Sequence, residues 1–94
     1  MNLDFYEVIR DISVNQHYAS RYVKMMRHYQ SLRLKKGERH HVLPRSLFPD
    51  YKYKRGNIVC LPYRVHFIAH MLLWLATRHE KMAMALNMMG NFRF

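Results

Sequence analysis

The sequence is poor in several residue types, and each scarcity narrows its class. Cys60 is the only cysteine among 94 residues, which excludes an intrachain disulfide and fits a reducing compartment. Three glycines and three prolines are too few for a disordered linker. Because half of the residues are hydrophobic, a small core can form. We expect one globular domain spanning residues 1–94.

Long hydrophobic runs are also missing. The most apolar stretch, residues 67–76, is interrupted by His70 and is too short to span a bilayer. The first ten residues contain Asp4 and Glu7 and lack the basic-then-apolar layout of a signal peptide. We therefore expect no membrane partner and a cytoplasmic location.

Acidic residues are scarce relative to basic ones. The chain has 16 Lys and Arg against 6 Asp and Glu, for a formal net charge of +10. Such an excess on a short chain indicates a polyanionic partner. Nucleic acid is favoured over a membrane surface because the basic residues are spread along the whole chain and do not gather beside one apolar helix.

Hydrophobic periodicity predicts helices at both ends of the chain and a strand–loop–strand–helix unit between them. Gly37 and Gly90 are expected to follow the ends of helices, since glycine readily adopts a helix-terminating conformation. Residues 3–13 and 16–34 are expected to form one or two amphipathic helices, and residues 63–76 and 79–89 one helix each. The expected strands cover residues 39–43 and 58–61. The expected inward-facing residues of the third helix are Phe67, Ile68, Met71, Leu72 and Leu75.

Four of the seven histidines form the most informative pattern in the chain. His66 and His70 are four residues apart on a predicted helix, so they share one face and can chelate one ion. His40 and His41 are adjacent on a predicted strand, so their side chains leave opposite faces. This arrangement suits one metal ligand and one acid or base. Alone, either pair is weak evidence, because histidines at such spacings are more often packing or surface residues.

Taken together, several spaced elements resemble the His-Asn-His (HNH) nuclease motif, particularly its phage-encoded homing-endonuclease branch. They are His40-His41-Val42, Pro44-Arg45, Gly56-Asn57-Ile58-Val59 and the run from His66 to Leu73. Residues 18–37 and 81–89 are similar to the helices that flank the motif. Two departures bear on loop conformation and DNA contacts: Leu47-Phe48-Pro49 replaces paired glycines, and Val65 replaces a common glutamate.

The resemblance implies an α+β fold with a small ββα-metal (His-Me finger) core of two short antiparallel strands and a helix. The core would cover residues 38–76, with a basic helical segment at 1–37 and a C-terminal helix and tail at 77–94. One divalent metal ion is implied, Mg²⁺ or Mn²⁺ for activity, and Zn²⁺ or Ni²⁺ can occupy a three-histidine site. The implied metal ligands are His40, His66 and His70.

The resemblance also assigns roles around the metal. His41 matches the general base, and Asn57 matches the central Asn, which braces the loop bearing the base or helps to ligate the metal; we favour bracing. Glu38 is expected to contact a metal ligand, although a plain surface acid is the simpler interpretation. The residues expected to contact DNA are Arg39, Arg45, Lys52, Lys54, Arg55 and Arg64.

The implied activity is metal-dependent hydrolysis of DNA phosphodiester bonds, by nicking or double-strand cleavage. The implied partner is double-stranded DNA. The protein is expected to be a monomer or weak homodimer and to act in the cytoplasm of a phage host. Two alternatives remain open. One is a non-catalytic DNA-binding remnant of the same fold, and the other is a structural metal domain. The structural domain is less favoured because such zinc sites usually have four ligands, commonly thiolates.

Overall fold

Four helices surround a two-stranded antiparallel hairpin in the computed structural model, which describes the backbone of residues 4–93 and the side chains of residues 4–90. The helices are α1 (Phe5–Ile12), α2 (Gln16–Leu32), α3 (Tyr63–Thr77) and α4 (Glu80–Arg93), and the strands are β1 (Glu38–His41) and β2 (Ile58–Leu61). The α+β class and the order of elements are as predicted. Leu3, the first residue of the predicted first helix, and Phe94, the last residue of the predicted tail, lie outside the described residues.

The two N-terminal helices begin at side-chain caps. Asp4 accepts hydrogen bonds from the backbone N–H groups of Tyr6 and Glu7, and Asn15 accepts one from Tyr18. These caps satisfy N–H groups that have no partner within the helix. The side chain of Gln30 on α2 then donates to the carbonyl of Gly56, 2.9 Å away, which ties α2 to the turn before β2.

The hairpin pairs Glu38 with Leu61 and His41 with Ile58. Strand β1 ends at His41, two residues earlier than predicted. The reason is local, because the N–H of Leu43 donates to the side-chain oxygen of Asn57, 2.8 Å away, and not to a strand backbone. The paired ladder therefore ends, although Val42 and Leu43 remain buried.

The core lies between α2, the hairpin and α3. Helix α2 contributes Tyr22, Val23 and Met26, and the hairpin contributes Val59 and Leu61. Burying these side chains stabilises the domain by about 25 cal/mol per Å² of apolar surface removed from water. No helix within residues 4–93 has the length and hydropathy needed to cross a bilayer.

Helix α3 buries a different face from the one predicted. Its buried residues are Ala69, Leu72, Leu73, Ala76 and Thr77, so of the five expected inward residues only Leu72 is buried. Ile68 is 37% exposed, which contradicts the prediction for that residue. The helix is apolar nearly all round, so its sequence does not define one face, and small alanines permit the close approach of its neighbours.

Neither expected glycine stop ends a helix. Helix α2 ends at Leu32, where Arg33 adopts a left-handed conformation with φ 49°, four residues before Gly37. Helix α4 continues through Gly90 to Arg93. Glycine permits the left-handed terminating conformation but does not impose it, and Gly90 keeps a negative φ.

Gly37→Ala should destabilise the protein by about 1–3 kcal/mol, because alanine is strained at a positive φ. Gly37 has φ +146°, and an added Cβ would lie 2.6 Å from the carbonyl oxygen of Leu61. Gly90→Ala is the matched control, since nothing lies within 4 Å of its added Cβ. This change should leave stability unchanged or raise it by up to about 1 kcal/mol. Urea unfolding of both variants provides the measurement, and equal shifts would contradict the packing at Gly37.

Candidate metal centre

Three histidines from two elements meet at one point. His40 comes from β1, and His66 and His70 come from the first three turns of α3. One ring nitrogen of each lies within 4.8 Å of those of the other two. The ring centroids are 5.0, 5.0 and 4.9 Å apart, so the rings form a nearly equilateral triangle. These are the three residues for which the sequence predicted metal binding, and they lie close enough to hold one ion.

His66 is oriented by Glu38, which lies on the neighbouring strand. Its Nδ1 is 3.0 Å from the Glu38 Oε1, so a neutral His66 donates from Nδ1 and keeps its lone pair on Nε2. A carboxylate behind a metal-binding imidazole is a common arrangement, since it fixes the ring orientation and increases ligand basicity. Glu38 thus contacts one of the candidate metal ligands, and its support of a bound metal stays a prediction.

Hydrogen bonds alone do not give every ring nitrogen of His66 and His70 a partner. Their Nε2 atoms are 3.2 Å apart, while the Nδ1 of His70 is buried and has no hydrogen-bond partner. If His70 donates from Nε2, its Nδ1 retains a buried lone pair. If it is protonated on Nδ1, two lone pairs face each other. Either tautomer leaves a nitrogen lone pair without a donor, which is the group that a divalent metal binds.

The separation of these two nitrogens also fits an ion. Two nitrogens bound to one tetrahedral ion at about 2.0–2.1 Å lie roughly 3.3 Å apart. The observed 3.2 Å between the Nε2 atoms of His66 and His70 is close to that value. The donor set of three imidazoles therefore suits Zn²⁺, Ni²⁺ or another borderline divalent cation, although it does not identify the metal.

Two of the three histidines are held in the neutral form. Burial is the main cause that lowers the pKa of His70 from 6.5 to about 4, with a smaller effect of neighbouring His66. Burial likewise lowers the pKa of His40 well below its usual value, and the three nearby histidines add to the effect. Only a neutral imidazole binds metal, so both side chains are prepared for ligation near pH 7.

His41 lies on the opposite side of β1 from His40 and is half-buried. Partial burial and the positive charges of Arg45, Lys52 and Arg39 lower its pKa. A hydrogen bond from its ring to the Lys52 backbone opposes this shift. The bond occupies one ring nitrogen and leaves the other free to accept a proton.

Asn57 is fully buried and holds together the loop between the strands. Its side-chain oxygen accepts from the Leu43 N–H at 2.8 Å, and its Nδ2 donates to the carbonyls of Leu43 and Tyr51 at 3.3 and 2.9 Å. The side-chain amide therefore already has backbone partners on both sides. This geometry corresponds to the bracing role that we favoured over metal ligation.

The histidines line a cleft of about 960 Å³ between the hairpin and α4. Two of the expected DNA contacts, Arg39 and Arg45, line it as well. The other four do not line it. Lys52 reaches the site through its backbone contact with His41, Lys54 and Arg55 are exposed in the turn before β2, and Arg64 is exposed on the first turn of α3.

Sequence reasoning missed four residues, three that line this cleft and one that lies behind it. Lys81 lines it and donates to the carbonyl of Ser46 at 3.2 Å, which links α4 to the loop after β1. Met84 and Met88 line the opposite wall and are more than half exposed. Behind the cleft, the Tyr22 hydroxyl contacts His40, although Tyr22 does not line the cleft itself. The scattered positions of these residues in the sequence contain no signal that would group them.

In comparisons with known proteins, no family model, no curated protein and no solved structure matches the chain.

The metal-free protein should lose stability as the pH falls from about 6.5 towards 4. The unfolded chain protonates His40 and His70 near pH 6.5, whereas the folded state resists their protonation down to about 4 for His70. Each such histidine removes up to about 1.4 kcal/mol of stability per pH unit in this window. Urea unfolding in EDTA at pH 7, 6, 5 and 4 measures the decline.

His70→Gln should make this decline less steep, because it removes one of the two buried groups that titrate. His17→Gln is the matched control, since His17 is exposed on α2 and lies outside the cluster. A wild-type free energy of unfolding that stays constant between pH 6.5 and 4.5 would contradict the buried neutral histidines.

Proposed function

We propose that this chain is a metal-dependent DNA endonuclease of the His-Asn-His type, hydrolysing phosphodiester bonds. The observation that carries the proposal is that one cleft contains both a cluster of three histidines and a fourth histidine outside that cluster. His40, His66 and His70 form a cluster suited to a metal, and His41 lines the same cleft without belonging to that cluster. A purely structural metal domain has no need of the fourth histidine.

In this proposal His41 is the general base. Its lowered pKa keeps the imidazole neutral near pH 7, and its bond to the Lys52 backbone selects which nitrogen carries the proton. The other nitrogen takes a proton from a water molecule in the cleft, and the resulting hydroxide attacks phosphorus. The nearby Arg39 and Arg45 would hold the phosphate for attack, since guanidinium groups bind phosphate oxygens bidentately.

His40, His66 and His70 would hold the metal. When bound, the ion would polarise the scissile phosphate and stabilise the departing 3′ oxygen. Because His40 and His41 are neighbours on one strand with opposite orientations, the backbone of β1 fixes the spacing between ligand and base. Asn57 supports this spacing by holding the backbone of Leu43 and of Tyr51, and Lys52 directly follows Tyr51.

The net charge of +10 supports a nucleic-acid substrate. Arg39, Arg45 and Lys81 lie at the cleft itself, so part of the excess charge is next to the histidines. Double-stranded DNA is the substrate indicated by the sequence resemblance, which is also the basis for a phage origin.

His41→Ala should lower the rate of plasmid nicking by about 10²–10⁴-fold, the usual contribution of a general base. Supercoiled plasmid is incubated with the protein and Mg²⁺, Mn²⁺, Ni²⁺ or EDTA, and the relaxed form is quantified. His28→Ala is the control, because His28 is exposed on α2 and does not line the cleft.

Metal binding and DNA binding should both survive in His41→Ala, which separates loss of the base from loss of the site. Equal nicking by His41→Ala and wild type would show that another group is the base. DNA binding without cleavage under every metal would favour the non-catalytic remnant.

DNA affinity should fall steeply with salt, and Arg45→Ala should reduce the slope of log K against log salt by about 1. Arg64→Ala is the comparison, since Arg64 is also exposed but does not line the cleft. Fluorescence anisotropy with a labelled duplex between about 50 and 200 mM salt, with EDTA present to prevent cleavage, gives the slopes. Affinity that is independent of salt would exclude phosphate contacts as the basis of binding.

A further inference from the structure

The hydroxyl of Tyr22 contacts the histidine cluster. Tyr22 lies in the middle of α2 and is fully buried. Its hydroxyl oxygen is 2.8 Å from the Nε2 of His40 and 2.8 Å from the carbonyl oxygen of Val42. The proposed nuclease chemistry assigns no role to this residue, which lies before the segment from His40 to Leu73 that resembles the nuclease motif.

The two hydrogen bonds of Tyr22 determine where the His40 proton lies. A carbonyl oxygen only accepts, so the single hydroxyl hydrogen is donated to Val42. The hydroxyl oxygen then accepts its second bond from His40, and Nε2 must be the nitrogen that carries the hydrogen. Neutral His40 therefore keeps its lone pair on Nδ1.

This tautomer matters because the buried ring of His40 has only one nitrogen left to face the other two histidines. Its side chain is almost fully buried, yet it lines the cleft, whereas Tyr22 does not. With Nε2 turned towards Tyr22 in the core, Nδ1 is the nitrogen left for the side of His66 and His70. The same hydroxyl also donates to the carbonyl of Val42, the residue directly after His41, so one buried group contacts the chain on both sides of His41.

We propose that Tyr22 is a positioning residue that fixes the tautomer and orientation of His40, so that His40 binds the metal through Nδ1. This inference rests on the proposed metal site. His66 binds by contrast through Nε2, because Glu38 occupies its Nδ1. Each of these two ligands is thus oriented from behind by a different oxygen, a phenol in one case and a carboxylate in the other.

Tyr22→Phe tests the proposal by removing only the hydroxyl. Supporting groups of this kind typically contribute 10–100-fold to metal affinity, and we expect a loss of that size. The dissociation constant for Zn²⁺ is measured by competition with a chromophoric chelator at pH 7 and at a temperature where circular dichroism shows each variant folded. Tyr29→Phe is the matched control, since Tyr29 is on the same helix, is partly buried and lies outside the cluster.

A merely structural Tyr22 would lower the thermal stability of the metal-free protein and leave the Zn²⁺ dissociation constant of the folded variant unchanged. That result, or an equal loss in Tyr29→Phe, would overturn the proposal. If wild type binds Zn²⁺ and Tyr22→Phe binds it equally well, only this inference fails. If wild type binds no divalent metal, the metal site of the proposed function fails with it.

A measurement on the wild-type chain covers the case in which Tyr22→Phe does not fold. Nitrogen-15 spectra of the histidine rings with Zn²⁺ should show the His40 hydrogen on Nε2 and the metal on Nδ1. Zinc bound to the Nε2 of His40 would overturn the proposal, since that nitrogen would then be unable to donate to Tyr22.

Discussion

The buried side chain of Asn57 is the interaction on which the arrangement of this domain depends. One amide satisfies three backbone groups, two on Leu43 and one on Tyr51, in a region from which water is excluded. The two Leu43 groups would otherwise be buried polar atoms without a partner, at a cost of about 1–3 kcal/mol each, whereas the Tyr51 carbonyl also accepts from the Lys54 N–H at 3.1 Å. The amide therefore closes the long connection between the strands and ends β1 at the residue that follows His40.

The position of His41 follows from that closure. Lys52 is next to Tyr51, so fixing the Tyr51 carbonyl also fixes the backbone that contacts the His41 ring. The base candidate is thus held by a loop and the metal-ligand candidates by a helix and a strand. Only the junction at β1 connects the two groups, which explains how one short segment can support both functions.

The histidine cluster is destabilising for the metal-free fold. Neutral imidazoles are buried, and the Nδ1 of His70 has no hydrogen-bond partner. A chain with so small a core gains stability from any ligand that binds only the folded state. A divalent ion bound to the three imidazoles of the folded chain would therefore offset part of the cost of burying them. Helix α4 completes the cleft and brings Lys81 and the exposed Met84 and Met88 to the wall opposite the histidines.

The sequence by itself determined the class of the fold and the composition of the cluster. Two-residue alternation along residues 38–41 separates His40 from His41, and the four-residue spacing of His66 and His70 puts them on one helical face, because both periodicities belong to the local backbone geometry. Local signals were weaker at the element ends. The stops expected at Gly37 and Gly90 were wrong, since a glycine allows but does not require a left-handed conformation.

Tertiary structure decided what lies across from each element. The buried face of α3 follows its small alanines and not its largest apolar residues, because the approach of α2 selects the face of a helix that is apolar all round. Tyr22 belongs to the core stripe of α2 by periodicity, and only the packing of α2 against the hairpin brings its hydroxyl to His40, 18 residues further along the chain. Lys81 likewise reaches the cleft only through the return of α4 towards the loop after β1. Contacts of this kind depend on the distance between whole elements in space, and no local pattern of residues encodes that distance.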